Sequence, residues 1–238
     1  MEHSTTLLVA RNDISLTEIS VAALPPSDAL APGEVLLAVD QFAFTANNIT
    51  YAVMGDLLRY WEFFPAAEGK GVVPVWGFAD VIATASASVE VGERLYGYYP
   101  MSSHLTVKPE HISTHGFVDG AAHRQPLSVI YNQYIRCAQD PLYSAQTEAL
   151  QMLLRPLFTT SFLLDDFFAD NQFFGANSLV LTSASSKTAL GMAFLLEHNR
   201  SSSEHSYEIV GLTSPSNIEF VQALGCYDRV LSYDQLTQ

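Results

Sequence analysis

The chain has 238 residues, 48% hydrophobic and 11% aromatic, enough for one large core or two smaller ones and too apolar for a disordered segment. Against 25 Asp and Glu stand 11 Lys and Arg with no basic run among them, and the formal charge of −14 excludes the clustered cations that a nucleic-acid backbone requires. Apolar runs such as residues 156–164 are too short to span a bilayer, and MEHSTTLLVARND lacks a basic segment followed by an apolar one, so the expectation is a soluble cytoplasmic protein with no membrane partner.

In chain order, residues 6–10 and 15–23 read as short strands around a turn at Asn12-Asp13. EVLLAVDQFAF (34–44) is a β-branched and aromatic strand whose imperfect alternation suits burial on both faces. TANNITYAVMGD follows, with Thr45 as N-cap and Gly55 as stop of a short helix. VVPVWGFADVIATA (72–85) reads as two strands with a kink at Gly77, and residues 96–99 and 104–107 as two more. So many short strands between turn signals argue for a small, partly open barrel or rolled sheet. Residues 116–141 read as a loop-rich bridge, and 148–154 and 160–168 as helices with Asp165 and Asp166 on the exposed side. Tyr60, Trp61, Tyr131 and Tyr134 are core candidates first, and otherwise the roof of an apolar pocket.

The second half is organised around NSLVLTSASSKT (177–188) and the apolar run 189–196: a short buried strand, a loop of tiny residues, then a helix. That order offers backbone N–H groups and a helix N-terminus to a phosphate. Ser183 opens the loop, and Ser185, Ser186, Lys187 and Thr188 supply N–H groups, hydroxyls and an ammonium for a pyrophosphate. Two serines capping a helix beside a solvated lysine are the plainer reading of the same residues. A Walker A loop is a weaker rival, because it wants glycines where Leu181 and Ser186 stand. Residues 207–213 form a second strand, Ser214-Pro215 opens a helix that Gly225 stops, and residues 229–233 form a third strand. This alternation is one mononucleotide-binding half of a doubly wound sheet. Thr213, Ser214, Ser216 and Asn217 lie where NAD-binding proteins place a ribose-binding acid; its absence favours NADP, although no Arg or Lys stands in that turn.

These residues resemble the medium-chain dehydrogenase/reductase superfamily, in its zinc-free, quinone-oxidoreductase-like branch. The resemblance is carried by PGEVLLAVDQFAFTANNITYAVMGD, VGERLYGYYPMSSHLTVKP, RPLFTTSFLL, SLVLTSASSKTALGMAFLL, VGLTSPSNIEFVQALG and DRVLSYDQL, colinear over most of the chain. It implies an α/β protein: a GroES-like β-rich substrate domain over residues 1–158 and a partial, three-strand Rossmann domain over 159–238, the family's second half-sheet having no counterpart before Gln238. It implies an NADP-dependent oxidoreductase that passes hydride to a small carbonyl, quinone or enone, commonly as a homodimer. By resemblance Asn47, Asn48 and Tyr51 line the nicotinamide pocket, with Tyr51 as a proton donor, and Arg155 and Thr160 lie near the cofactor. Unlike the zinc enzymes, the chain has no metal-binding Cys or His near Asn47 and Asn48. Two departures weigh the other way: Ser183, Ser186 and Ala189 replace A-x-x-G-x-x-G/A, and the second half-sheet has no counterpart. The competing reading is a nucleotide-binding or interaction protein that keeps the scaffold without turnover. Cys137 and Cys226 form no Cys-x-x-Cys pair and read as buried free thiols, and the histidines show no metal-site spacing.

Overall fold

The structure is a computed structural model that describes residues 3–202 and 206–237. The chain divides into two compact units, Met1–Leu153 and Leu154–Gln238. In the first, β1 (His3–Ala10) and β2 (Asp13–Ala23) make a hairpin, followed by β3 (Val35–Ala43), α1 (Ala46–Val53) and the two-residue β4 (Lys70–Gly71). Then come β5 (Pro74–Thr84), β6 (Arg94–Pro100), β7 (His104–Val107), β8 (Pro109–Glu110), β9 (Gly116–Asp119) and β10 (Gln133–Arg136). One sheet has the order β2-β1-β4 and the other β7-β3-β5-β6-β10-β9-β8, an antiparallel array that nearly closes into a barrel.

Its core follows from β5 and β6, which bury side chains on both faces. Val35, Leu37, Val75, Ala79, Leu95 and Tyr99 pack within it. Trp61 is 2% exposed and lies flat against Gly55 and Gly71, where any Cβ would collide with its ring. Gly55 therefore serves a close approach rather than a left-handed helix stop; α1 ends before it, with Met54 as C-cap. Nor does Gly77 kink the chain: β5 runs through it unbroken, and the irregularities fall in its pairing with β3.

Three further expectations are corrected. The bridge 116–141 contains β9 and β10, four-residue strands too short to show alternation. The two helices expected at 148–168 are one, α2 (Glu148–Asp170), with Pro156 inside it. Proline removes a backbone donor there, but packing on either side holds the helix: Met152 is buried in the first unit and Ser161 in the second. Asp165 does not face solvent. It is 8% exposed and accepts a 2.7 Å bond from Asn199 Nδ2, and burial raises its pKa.

The second unit holds β11 (Ser178–Thr182), α3 (Lys187–Asn199), β12 (Glu208–Thr213), α4 (Ile218–Ala223) and β13 (Arg229–Ser232). The three strands are parallel in the order β11-β12-β13, as the sequence pattern predicts. Phe173, Met192, Leu196 and Ile209 form its core. Cys137 and Cys226 are free and buried. Among the described residues no helix is long and apolar enough to cross a membrane.

One ion cluster ties three strands of the first unit to the start of α2. Arg94 on β6 reaches Asp40 (2.7 Å), Asp80 (2.9 Å) and Glu148 (2.5 Å), while Gln41 and Tyr143 also donate to Glu148. The Arg94 guanidinium holds the Glu148 carboxyl below the usual carboxylate range. Arg94→Met leaves three carboxylates facing one another, and we expect a loss of about 3 kcal/mol in urea unfolding at neutral pH. Because the folded pKa of Glu148 is depressed, its contribution is present above about pH 4.3 and disappears as pH falls through the folded value. Glu148→Gln should therefore flatten the acid side of the stability profile; an unchanged profile would refute the role.

Candidate functional site

The bend between β11 and α3 is built by opposing hydrogen bonds. Ser183 adopts φ +50°, in the left-handed region that glycine usually occupies. It is held by donating its N–H to Tyr233 Oη (2.8 Å) and by its carbonyl accepting from Ser186 N–H (2.7 Å). Ala184 N–H donates to Leu212 O on β12. Ser186 is the N-cap of α3, its hydroxyl accepting from Ala189 N–H. Among the described residues the N–H groups of Ser185, Lys187 and Thr188 find no acceptor. The carbonyls are differently placed. Tyr227 Oη donates to Ala184 O (3.1 Å) and lies near Ala189 O (3.3 Å), and Ser161 Oγ donates to Thr188 O (2.8 Å). The carbonyls of Ser183, Ala184 and Thr188 thus have donors while three N–H groups stay open, at the positive end of a 13-residue helix. Lys187 is exposed and forms no ion pair among the described residues.

Of the residues expected in the next turn, Thr213 is buried at the end of β12, and Ser214 is exposed without a capping bond. Asn217 Nδ2 donates to Ser185 Oγ (3.1 Å), so the two loops after β11 and β12 meet. Thr160 is exposed on α2 with its hydroxyl turned back to Pro156 O, and Arg155 is half-buried on the same helix. Sequence reasoning missed Tyr227 and Tyr233. One signal pointed to Tyr227: Gly211, mid-strand on β12, has no Cβ because that ring packs on it.

In the first unit, α1 begins with a reciprocal cap. Thr45 Oγ1 accepts from Asn47 N–H, and Asn48 Oδ1 accepts from Thr45 N–H (2.7 Å). Asn48 Nδ2 donates to Pro74 O (2.9 Å) in the interior. Both ends of the Asn48 amide are thus engaged in holding α1 on β5. Asn47 Nδ2 donates to Tyr51 Oη (2.9 Å), one turn on. Tyr51 is 6% exposed, and burial raises its pKa, so the phenol keeps its proton at neutral pH. The expected aromatic group splits in two. Trp61 and Tyr134 belong to the barrel core, whereas Tyr60 and Tyr131 join Tyr51, Phe63, Phe64 and Tyr98 in a separate cluster. Among the described residues no group of three or more His, Cys, Asp or Glu is placed to hold a metal ion.

The family described as protein of unknown function (DUF2855) matches residues 42–238, and the chain belongs to it. No curated protein matches the sequence. Among solved structures, CurA from Vibrio vulnificus is similar over 97% of this chain and 58% of its own, at 14% identity and a TM-score of 0.56. The mitochondrial 2-enoyl thioester reductase Etr1p/Etr2p heterodimer from Candida tropicalis is similar over 100% of this chain and 63% of its own, at 12% identity and a TM-score of 0.54. A protein from Bacillus thuringiensis taken to be an NADPH:quinone reductase is similar over 98% and 59%, at 12% identity and a TM-score of 0.53. The chain therefore spans about three-fifths of the length of these structures. At such identities the likeness is one of fold.

Asn48→Ala removes a cap and an interior bond together. We expect a loss of about 2 kcal/mol in stability, with α1 fraying. Hydrogen exchange of the α1 amides as slow as in the parent would contradict it.

Proposed function

We propose that the chain is an NADP(H)-dependent, zinc-free oxidoreductase acting on a small carbonyl, quinone or enone. The observation that carries this reading is the imbalance at the bend, where the N–H groups of Ser185, Lys187 and Thr188 are open and the neighbouring carbonyls are covered. Those three donors and the Lys187 ammonium suit a pyrophosphate, whose charge a helix N-terminus favours. Ser183 shapes the bend, Ser186 caps it, and Thr160 is a further candidate contact. No acid stands in the turn at Thr213 and Ser214, which leaves room for a 2′-phosphate. The fold is shared with a 2-enoyl thioester reductase and with a protein taken to be an NADPH:quinone reductase, which supports the same class. Bound nicotinamide would supply the hydride. Tyr51 has the part of proton donor to an oxygen gaining charge: its own oxygen already accepts from Asn47, so its O–H is directed elsewhere. Asn48 positions it by fixing α1. Pairing of two copies belongs to the same reading.

A nucleotide-binding protein without turnover is the second reading. It is favoured by the self-satisfied N–H groups of Ser183 and Ala184, which narrow the anion site.

NADPH fluorescence titrated with the chain tests both; no response at millimolar protein would end both. We expect Lys187→Ala to weaken NADPH about fivefold and NADH less, whereas an equal loss would remove the lysine from the 2′ region. Tyr51→Phe should cut turnover of an enone or quinone by about a hundredfold and leave NADPH affinity unchanged. Unaltered turnover would assign the proton to another group.

A further inference from the structure

The parallel sheet of the second unit ends on an open strand. β11 pairs with β12 on one side, and among the described residues no strand pairs with the other. The ladder fixes which main-chain groups that leaves. Glu208 N–H donates to Asn177 O, so Asn177, Leu179 and Leu181 turn their main-chain groups to β12. Ser178, Val180 and Thr182 turn theirs outward, and all three residues are exposed, Val180 at 57%. Leu179 and Leu181 lie on the other face of the pleat, where they pack, only partly buried, against the core of Met192 and Ile209.

Parallel strands are ordinarily paired and covered, and an exposed edge usually carries a charge, a proline or a bulge that deters pairing. SLVLT has none of these. Its composition also says what fits it. The five residues are nearly symmetric about Val180, with a leucine on each side and a small hydroxyl residue beyond each leucine. Turned antiparallel about a two-fold axis at Val180, the strand matches itself. Val180 then faces Val180, Leu179 faces Leu181, and Ser178 faces Thr182. The residues that meet as hydrogen-bonded pairs are the ones whose N–H and C=O already point outward. Apolar side chains meet apolar ones, no charge opposes a like charge, and the half-covered leucines gain a neighbour.

We propose that β11 is a self-pairing edge: it joins β11 of a second copy, antiparallel about Val180, and makes one continuous sheet from two second units. The proposal rests on the pairing of copies in the reading above, but on neither cofactor nor turnover.

Sedimentation of the full chain gives its association state, and hydrogen exchange locates the surface. We expect a dimer at about 0.1 mM protein, with the amides of Ser178, Val180 and Thr182 exchanging slowly there and fast on dilution to the monomer. Val180→Pro is the most selective change. The Val180 N–H points away from β12, so the monomer loses no ladder bond and should melt close to the parent. The dimer loses one bond from each copy and should weaken about a hundredfold. Val180→Lys and Val180→Glu should each pair more weakly alone than in an equal mixture, a rescue that misfolded variants could not give. A monomer at that concentration, a dimer unmoved by Val180→Pro, edge amides already protected in the monomer, or a mixture that pairs no better than either variant would each overturn the proposal. NADPH titration separates it from the oxidoreductase reading. A dimer that depends on Val180 in a chain with no NADPH response keeps the surface and ends the enzyme; NADPH binding by a chain that stays monomeric does the reverse.

Discussion

The second unit is arranged around a shortage of acceptors at one bend. Ser183 takes a left-handed backbone without the freedom of glycine, and a conformation of that kind persists only where the surroundings impose it. Here they do so from β12 and from both ends of β13: its own N–H donates to Tyr233 after β13, Ala184 donates to Leu212 on β12, and Tyr227 before β13 donates to Ala184 O. The same bonds that hold the turn occupy its carbonyls and leave the first amides of α3 open. Structure and electrostatics are therefore one feature: any change that relaxes Ser183 also redirects the donors. In dinucleotide-binding folds glycines clear space at such a loop, whereas here serine side chains stand in it and the phenols of Tyr227 and Tyr233 set its course.

Much of this was legible in the sequence, and the rest was hidden for identifiable reasons. Strand, loop and helix at NSLVLTSASSKT could be read because every cue lies within twelve consecutive positions. Tyr227 and Tyr233 act on that loop from 43 and 50 residues away, a separation at which no local pattern speaks. Pro156 reads as a break because propensity is local, but packing on both sides carries α2 through it. Asp165 follows the pattern of a solvated face, and only the approach of Asn199 from α3 accounts for its burial. Asn48 was singled out, but as chemistry. Its spacing from Thr45 is that of a reciprocal helix cap, with Asn doing what Glu or Gln more often does.

The first unit shows how cross-strand register separates environments that residue type alone does not announce. Tyr96, Tyr98 and Tyr99 look alike in GYYP and its approach, yet the pleat sends Tyr99 into the barrel core, where its hydroxyl donates to Leu95 O, and Tyr98 to the opposite cluster, beside Tyr51. A one-residue slip between β5 and β6 would exchange those environments and separate Tyr98 from Trp76.

Two buried or half-buried arginines show where a chain of charge −14 spends its cations. Arg94 is encircled by Asp40, Asp80 and Glu148, so its charge is cancelled where it stands and serves the fold. Arg124 is held by the oxygens of Phe63, Tyr131 and Asn132 and lies over the rings of Phe63 and Phe64, so it too serves the fold. Lys187 lacks a carboxylate partner among the described residues, beside helix amides that point the same way. With screening over about 10 Å at ordinary ionic strength, distant surface acids count little against such local cations. The net charge limits what the whole surface can attract, whereas the placement of Lys187 decides what the bend can hold.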